Sequence, residues 1–588
     1  MRRVAFALGL LATAAWSAPS HAQFMETDVA VPMRDGVVLR AIVLRPNATG
    51  KFPTLVYRTP YGASDAIEDY ATFQHAVDRG YAVVVQDVRG RYRSAGTFNP
   101  YIQEGRDGYD TIEWAARQPW STGDVGTFGL SYPGAVQWLA AVESPPHLKA
   151  MVPAMTFSRP TNFWYAGGLA DLSWPAWIWM NIAPDVRQKL NLPGPRTYRE
   201  AGEAWKTLEA PLLARLPISN VPELREVAPW YFEWLAHPPN DSWWSWADLT
   251  HRYSKTSAAV LNISGWHDEN YGPEGALTNY LGLVSARRGG GGGGGGGGAD
   301  ARAFLVLGPW VHGVNAINNR KPETKSGERT FAGKGGLDYD EEVLRFMDRY
   351  VRGMNNGVDK GPRVRTFVMG ENVWRTGNTW PLPGTAIQRF ALGRAGQSRG
   401  SLGASPASDG SWTITSDPNK LVVDQYDAAY GAHDYRALAE RSDVMVFESQ
   451  PLSQDTRVIG RIDIRLFVSV DAPDADIFAR VFDVAPDGTS WNLMSPGLEA
   501  QRLSARVGAA PVLPDKPTQV VVGHPMTGNL FKKGHRLRLV VMPSFHPHFG
   551  RNLHTGKRET DSAERHTAKI TMHYGPKYPS TIGLPVVR

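Results

Sequence analysis

Short apolar runs recur through the first half of this 588-residue chain, at residues 54–58, 81–85, 125–130, 150–152, 258–263 and 304–307. They are continuous rather than alternating, and the gaps between them are long enough to hold a helix. Strands of that kind are buried on both faces, so they belong in a parallel sheet with crossover helices above and below it. Ahead of them, residues 29–46 hold two β-rich runs around Arg34-Asp35-Gly36, a hairpin signal that predicts an antiparallel opening. The fold class expected from this pattern is α/β.

Two regions depart from it. Residues 157–249 carry ten of the twenty tryptophans and read as a mostly helical cap inserted between strands of the sheet. Most of these rings are expected to pack the cap itself, with Trp174, Trp177 and Trp179 as candidates to wall an apolar substrate pocket. From residue 362 the texture changes to short alternating strands, such as 462–470, 477–484 and 537–542, separated by Gly, Pro and Asp turns. That spacing predicts an all-β sandwich or jelly roll. The expected organisation is a core over 23–156 and 250–361, a cap over 157–249 and a β domain over 362–588. Ten consecutive glycines at 289–298 interrupt the second part of the core. Without side chains they cannot pack, and they read as a disordered loop or an artefact.

Met1-Arg2-Arg3, an apolar stretch over residues 4–16 and Ser20-His21-Ala22 have the layout of a signal peptide over residues 1–22. Its apolar part is shorter than the roughly 20 residues that span a membrane. The mature chain is therefore expected to be periplasmic or secreted, with no membrane partner. It has no cysteine, which excludes disulfides, a thiol nucleophile and cysteine-ligated zinc. A net charge of +6, with basic residues interspersed among acidic ones, argues against nucleic acid as a partner.

The segment from Asp124 through Gly134 reads strand, tight turn and helix, with Ser131 on the turn. A serine placed there projects its hydroxyl from the carboxyl edge of the sheet, and the helix N-terminus behind it favours developing negative charge. The match to G-x-S-x-G is imperfect, because Pro133 stands where the second glycine belongs and Gly134 comes one position late. A serine nucleophile also needs a base and a carboxylate to orient it, in the order Ser, Asp or Glu, His for this kind of sheet. The run at 258–263 ends in Ser264-Gly265-Trp266-His267-Asp268, and the run at 304–307 ends in Gly308-Pro309-Trp310-Val311-His312. Ser131, Asp268 and His312 thus form the candidate triad. His267 competes as base, but a histidine next in sequence to the orienting acid cannot readily take that acid's hydrogen bond while facing the serine.

These residues resemble a known family, the cocaine-esterase-like and X-Pro dipeptidyl-peptidase-like serine hydrolases (CocE/NonD, S15-type). The resemblance rests on Arg58-Thr59-Pro60-Tyr61, Asp87-Val88-Arg89-Gly90-Arg91, Gly129-Leu130-Ser131-Tyr132-Pro133-Gly134, Gly265-Trp266-His267-Asp268 and Gly308-Pro309-Trp310-Val311-His312. It continues toward the C-terminus in Met369-Gly370-Glu371-Asn372-Val373-Trp374 and Gly534-His535-Arg536-Leu537-Arg538. It implies an α/β-hydrolase core with an inserted helical cap, followed by an all-β jelly roll. It also implies that the Tyr61 phenol and the Tyr132 N–H donate to the oxyanion, and that no cofactor is required.

Three further features bear on the chemistry. His546 and His548 with His554 have a short H-x-H spacing but no carboxylate at helical spacing, so no metal is expected. Asp87, flanked by arginines, reads as part of a structural ion-pair loop. Asp171 and Glu269 are the carboxylates available to hold a substrate amine. The expected function is acyl-enzyme hydrolysis of small-molecule esters or amides, as an esterase or acylase. X-Pro dipeptidyl-peptidase or α-amino-acid ester hydrolase activity is the first alternative, and an acyltransferase or a non-catalytic binding protein the second. Self-association into a homo-oligomer is left open.

Overall fold

The computed structural model describes residues 24–160, 163–289, 302–394, 399–406, 408–427, 429–505 and 512–588. The expected leader over residues 1–22, and the glycine tract beyond Gly289, lie outside them.

Ten strands build the first sheet: β1 (Phe24–Pro32), β2 (Val38–Arg45), β3 (Phe52–Thr59), β4 (Ala82–Asp87), β5 (Ser121–Leu130), β6 (Leu148–Ala154), β7 (Ala259–Gly265), β8 (Ala303–Gly308), β9 (Val364–Val368) and β10 (Val373–Gly377). Their spatial order is β1-β2-β4-β3-β5-β6-β7-β8-β9-β10. From β4 to β9 every neighbouring pair is parallel, while β1, β2 and β10 are antiparallel additions at the two edges. Strands β4 and β7 are buried along their whole length, as continuous apolar runs covered on both faces should be.

The sheet extends further along the chain than the sequence suggested. Residues 364–368, expected to open the β domain at 362, pair in parallel with β8, and β10 closes that edge. The alternating pattern that suggested a sandwich strand has a local cause. Arg365 points outward from β9, and its Nη1 donates to Glu342 Oε1 at 2.9 Å on the helix Tyr339–Tyr350.

Between β6 and β7 the chain leaves the sheet and forms helices at Trp174–Trp177, Ala183–Leu190, Tyr198–Leu213 and Pro229–Ala236. Their aromatic side chains interlock around Trp234, which is fully buried and has Trp164 at 4.9 Å and Trp230 at 5.1 Å between ring centroids. Beyond β10, fourteen strands between Thr385 and Val587 form an all-β unit. Its strand pairs are antiparallel except for Gly400–Gly403 with Met445–Ser449. The chain therefore combines an N-terminal α/β part with a C-terminal all-β part. Among the described residues, no helix is long and apolar enough to cross a membrane.

Candidate active site

Ser131 follows β5 directly and precedes the helix Tyr132–Ala141. Its backbone sits at φ 69° and ψ −127°, a conformation L-residues avoid, and its N–H donates to the Ala154 carbonyl at 3.0 Å. Two glycines permit this sharp turn. A Cβ at Gly129 would meet Pro133 Cβ at 2.5 Å, and one at Gly134 would meet the Ala154 oxygen at 2.6 Å. The helix therefore touches the end of β6 at position 134, which explains why the second glycine comes one residue late and Pro133 is accommodated.

Asp268 and His312 lie on the loops that follow β7 and β8. Those loops are tied together by main-chain bonds, Trp266 N–H to the Gly308 carbonyl at 2.8 Å and His267 N–H to the Trp310 carbonyl at 3.0 Å. The approach is so close that a Cβ on Gly265 would stand 2.2 Å from the Trp310 oxygen. Across this clasp, His312 Nδ1 and Asp268 Oδ1 are 2.9 Å apart, which leaves Nε2 as the imidazole nitrogen available to Ser131. Asp268 is fully buried, and Oδ1 also accepts from the Asn270 N–H at 3.2 Å and the Tyr271 N–H at 3.4 Å. Burial disfavours a charged His312, but the Asp268 carboxylate outweighs it and holds the imidazole pKa above its usual 6.5.

His267, the rival base, is buried and turned away. Burial and the cation of Arg329 push its pKa down to about 3, so it stays neutral, and neither ring nitrogen has a hydrogen-bond partner among the described residues.

Tyr61 lies just past the carboxyl end of β3. Its hydroxyl accepts from Trp177 Nε1 at 3.1 Å, and burial pushes its pKa up to about 12 although that indole N–H and the nearby Ser131 hydroxyl favour the charged form. While it accepts from the indole, the phenol keeps its own O–H free to donate. The Tyr132 N–H is at the first position of its helix, where no intrahelical acceptor exists. The Tyr132 ring points elsewhere and donates its hydroxyl to Glu104 Oε1 at 2.8 Å.

The three tryptophans do not act alike. Trp177 stacks over Tyr132 at 6.3 Å and reaches Tyr61. Trp174 forms a layer behind it, 5.2 Å away, with its Nε1 donating to the Phe163 carbonyl. Trp179 is not brought to the site: its Nε1 donates to the Ala201 carbonyl at 3.0 Å, and Arg187 covers its ring at 4.3 Å. Positions 174 and 177 are neighbours on one helical face, whereas 179 projects from another.

Glu269 Oε2 accepts the His312 N–H at 3.2 Å, and burial raises its pKa to about 7. It lines a small chamber of about 30 Å³ together with Asp171, which burial raises to about 6, and with Tyr271, His524 and Phe549. The chamber shares Gly167, Gly523 and His524 with an open cleft of about 670 Å³ between the inserted helices and the β unit. Tyr271 was not anticipated from the sequence. It sits three residues after Asp268 with no motif to mark it, yet its ring lies 5.8 Å from that of His312.

The Asp87 loop differs from the expected ion pair. Asp87 accepts the Ala63 N–H at 2.7 Å, and burial raises its pKa to about 6. The flanking arginines pair elsewhere, Arg89 with Asp107 at 2.6 Å and Arg91 with Asp185 at 3.3 Å. In the β unit, His548 Nε2 pairs with Asp424 at 2.7 Å, and His554 is held by Ser416 and the Asp474 carbonyl.

Comparison with known proteins bears on the fold and the family. Residues 35–314 match the X-Pro dipeptidyl-peptidase (S15 family) model, and residues 356–583 match the X-Pro dipeptidyl-peptidase C-terminal non-catalytic domain. Cocaine esterase of Rhodococcus sp. (strain MB1 Bresler) is 31% identical over 96% of this chain and 98% of its own. Among solved structures, an α-amino acid ester hydrolase and an aminopeptidase from a marine sediment Thaumarchaeota archaeon share the fold. Each has a TM-score of 0.78 and 23% identity, covering 97% of both chains. The first match spans Ser131, Asp268 and His312, and the likeness to cocaine esterase runs nearly end to end: the chain belongs to the X-Pro dipeptidyl-peptidase (S15) family of serine hydrolases.

Proposed function

We propose that the chain is a carboxylic ester hydrolase in which Ser131 is the nucleophile, His312 the general base and Asp268 the group that orients it. The observation that carries this reading is the 2.9 Å bond between His312 Nδ1 and buried Asp268, on loops beside a serine held at φ 69°. His312 takes the Ser131 proton as Oγ attacks the ester carbonyl. The tetrahedral oxyanion is held by the Tyr61 phenol and the Tyr132 N–H. Collapse expels the alcohol, and water then hydrolyses the acyl-enzyme by the same steps.

Removing one of two oxyanion donors typically costs about 10²–10³ in rate. Tyr61→Phe should therefore lower kcat by about that factor while leaving KM within a few-fold, as steady-state kinetics on a p-nitrophenyl ester would show. An unchanged kcat would remove Tyr61 from the oxyanion site.

A second reading draws on one observation. Asp171 and Glu269 share a chamber beside Tyr271, and burial has raised both carboxyls. A substrate ammonium placed there would restore their charge, which suits an α-amino acid ester or an aminopeptidase substrate. The deciding experiment is a panel of acyl aryl esters, α-amino acid esters and dipeptidyl anilides. Turnover of plain acyl esters supports the first reading, a strong preference for a free α-amine supports the second, and failure on every ester overturns both.

We also read the β unit as a jelly roll, on its antiparallel pairing, and the helices between β6 and β7 as a cap over the core. An exported location, periplasmic or secreted, is supported by the leader pattern of residues 1–22.

A further inference from the structure

Two phenols, not one, meet at Ser131. Tyr61 reaches it from the side of Trp177. Tyr271 packs against the His312 ring at 5.8 Å, and the Ser131 hydroxyl lies near enough to both phenols to offset part of the pKa rise that burial gives them. The two are held in the same way. Behind Tyr61, the Trp177 indole N–H fills a lone pair of the phenol oxygen at 3.1 Å. Behind Tyr271 stands the Tyr101 hydroxyl at 3.1 Å. Tyr101 is 2% exposed, stacked on Tyr132 at 4.2 Å, and its hydroxyl meets that of Tyr271. Either hydroxyl of this pair can donate, and the order in which Tyr101 gives its proton to Tyr271 satisfies both and frees the Tyr271 proton for a group at Ser131. The Tyr271 main chain is anchored as well, through its N–H to Asp268 Oδ1.

The side from which a donor approaches decides what it can hold. In acyl transfer the carbonyl oxygen turns toward the oxyanion donors, and the leaving oxygen turns toward the base that will protonate it. Building on the assignment of Ser131 and His312 above, we infer that Tyr271 is a catalytic hydrogen-bond donor to the leaving-group oxygen. As the tetrahedral intermediate collapses, the bond between the carbonyl carbon and the leaving oxygen breaks and its electron pair passes to that oxygen. The Tyr271 hydroxyl holds the growing negative charge and keeps its own proton, while His312 Nε2–H delivers the proton that makes the alcohol. In deacylation the attacking water takes the same place, with Tyr271 and His312 on either side of it. No group is consumed, and the enzyme returns to its starting protonation state.

A donor to the leaving oxygen matters most when that oxygen is basic. p-Nitrophenolate leaves well unaided, whereas an alkoxide does not. Ethyl and p-nitrophenyl esters of one acid should be compared in wild type and Tyr271→Phe, which keeps the ring against His312 and removes only the hydroxyl. The variant should lose about 10- to 100-fold more kcat/KM on the ethyl ester than on the p-nitrophenyl ester, the range expected for one hydrogen bond to a charged oxygen. Tyr101→Phe, which removes the donor behind Tyr271, should shift the same ratio in the same direction by less. Equal losses on both esters would overturn the inference, since a purely structural phenol affects every leaving group alike. Hydrolysis surviving in Ser131→Ala would overturn the triad beneath it, an outcome that the ester ratio does not produce.

Discussion

Ser131→Ala is expected to lose about 10⁵- to 10⁶-fold in kcat on an aryl ester and to take no label from a fluorophosphonate, the scale of loss seen when a serine nucleophile is removed. No other group near the site replaces it. The chain has no cysteine, and His267 is buried with its pKa pushed down to about 3. The fold should survive the change. Ser131 makes no side-chain cap to its helix, and its strained φ of 69° costs alanine about what it costs serine. Melting temperature measured beside activity separates the two effects. Labelling that persists in a folded variant, or hydrolysis within tenfold of wild type, would remove Ser131 from the mechanism.

Asp268→Asn should cost about 10⁴ in kcat, because an amide can donate to His312 Nδ1 and leave the proton on Nε2, the nitrogen that must accept from Ser131. The pH profile carries a separate signature. Catalysis needs a neutral imidazole, so activity falls as pH drops through the His312 pKa. In wild type that pKa is raised above 6.5 by Asp268, and the acid limb of kcat/KM should lie above that value. Without the carboxylate, burial disfavours the charged ring and only the weaker attraction of Glu269 opposes it, so the limb of the residual activity should move to lower pH. Glu269, raised to about 7 by burial, titrates nearby and is coupled to the same ring, so Glu269→Gln serves as the control. A limb that stays put in Asp268→Asn and moves only in Glu269→Gln would assign it to Glu269.

The order of Ser131, Asp268 and His312 was legible because each follows a continuous apolar run, and a parallel sheet puts the ends of such runs along one edge. What the chain does not reveal is how separate segments meet there. Tyr271 gains meaning only once the loop after β7 folds back on His312 and on Tyr101, 170 residues away in sequence. Trp174, Trp177 and Trp179 read alike as large rings in one segment, but helical geometry sends the third into the interior of the inserted helices. Residues 364–368 joined the first sheet for a related reason. Alternation reports a strand with one wetter face, and a strand next to the edge of an α/β sheet, with Arg365 turned toward Glu342, can present the same pattern as a sandwich strand.

The two main-chain bonds that clasp the loops after β7 and β8 have an evolutionary consequence. They make acid and base a single rigid cassette anchored in the sheet, whereas Tyr61 takes its orientation from Trp177 on the inserted helices. Sequence drift in those helices can thus reshape what is admitted without detuning the proton-transfer pair, provided Trp177 keeps its bond to Tyr61. Selectivity can diversify on one side of the serine while the chemistry on the other stays fixed.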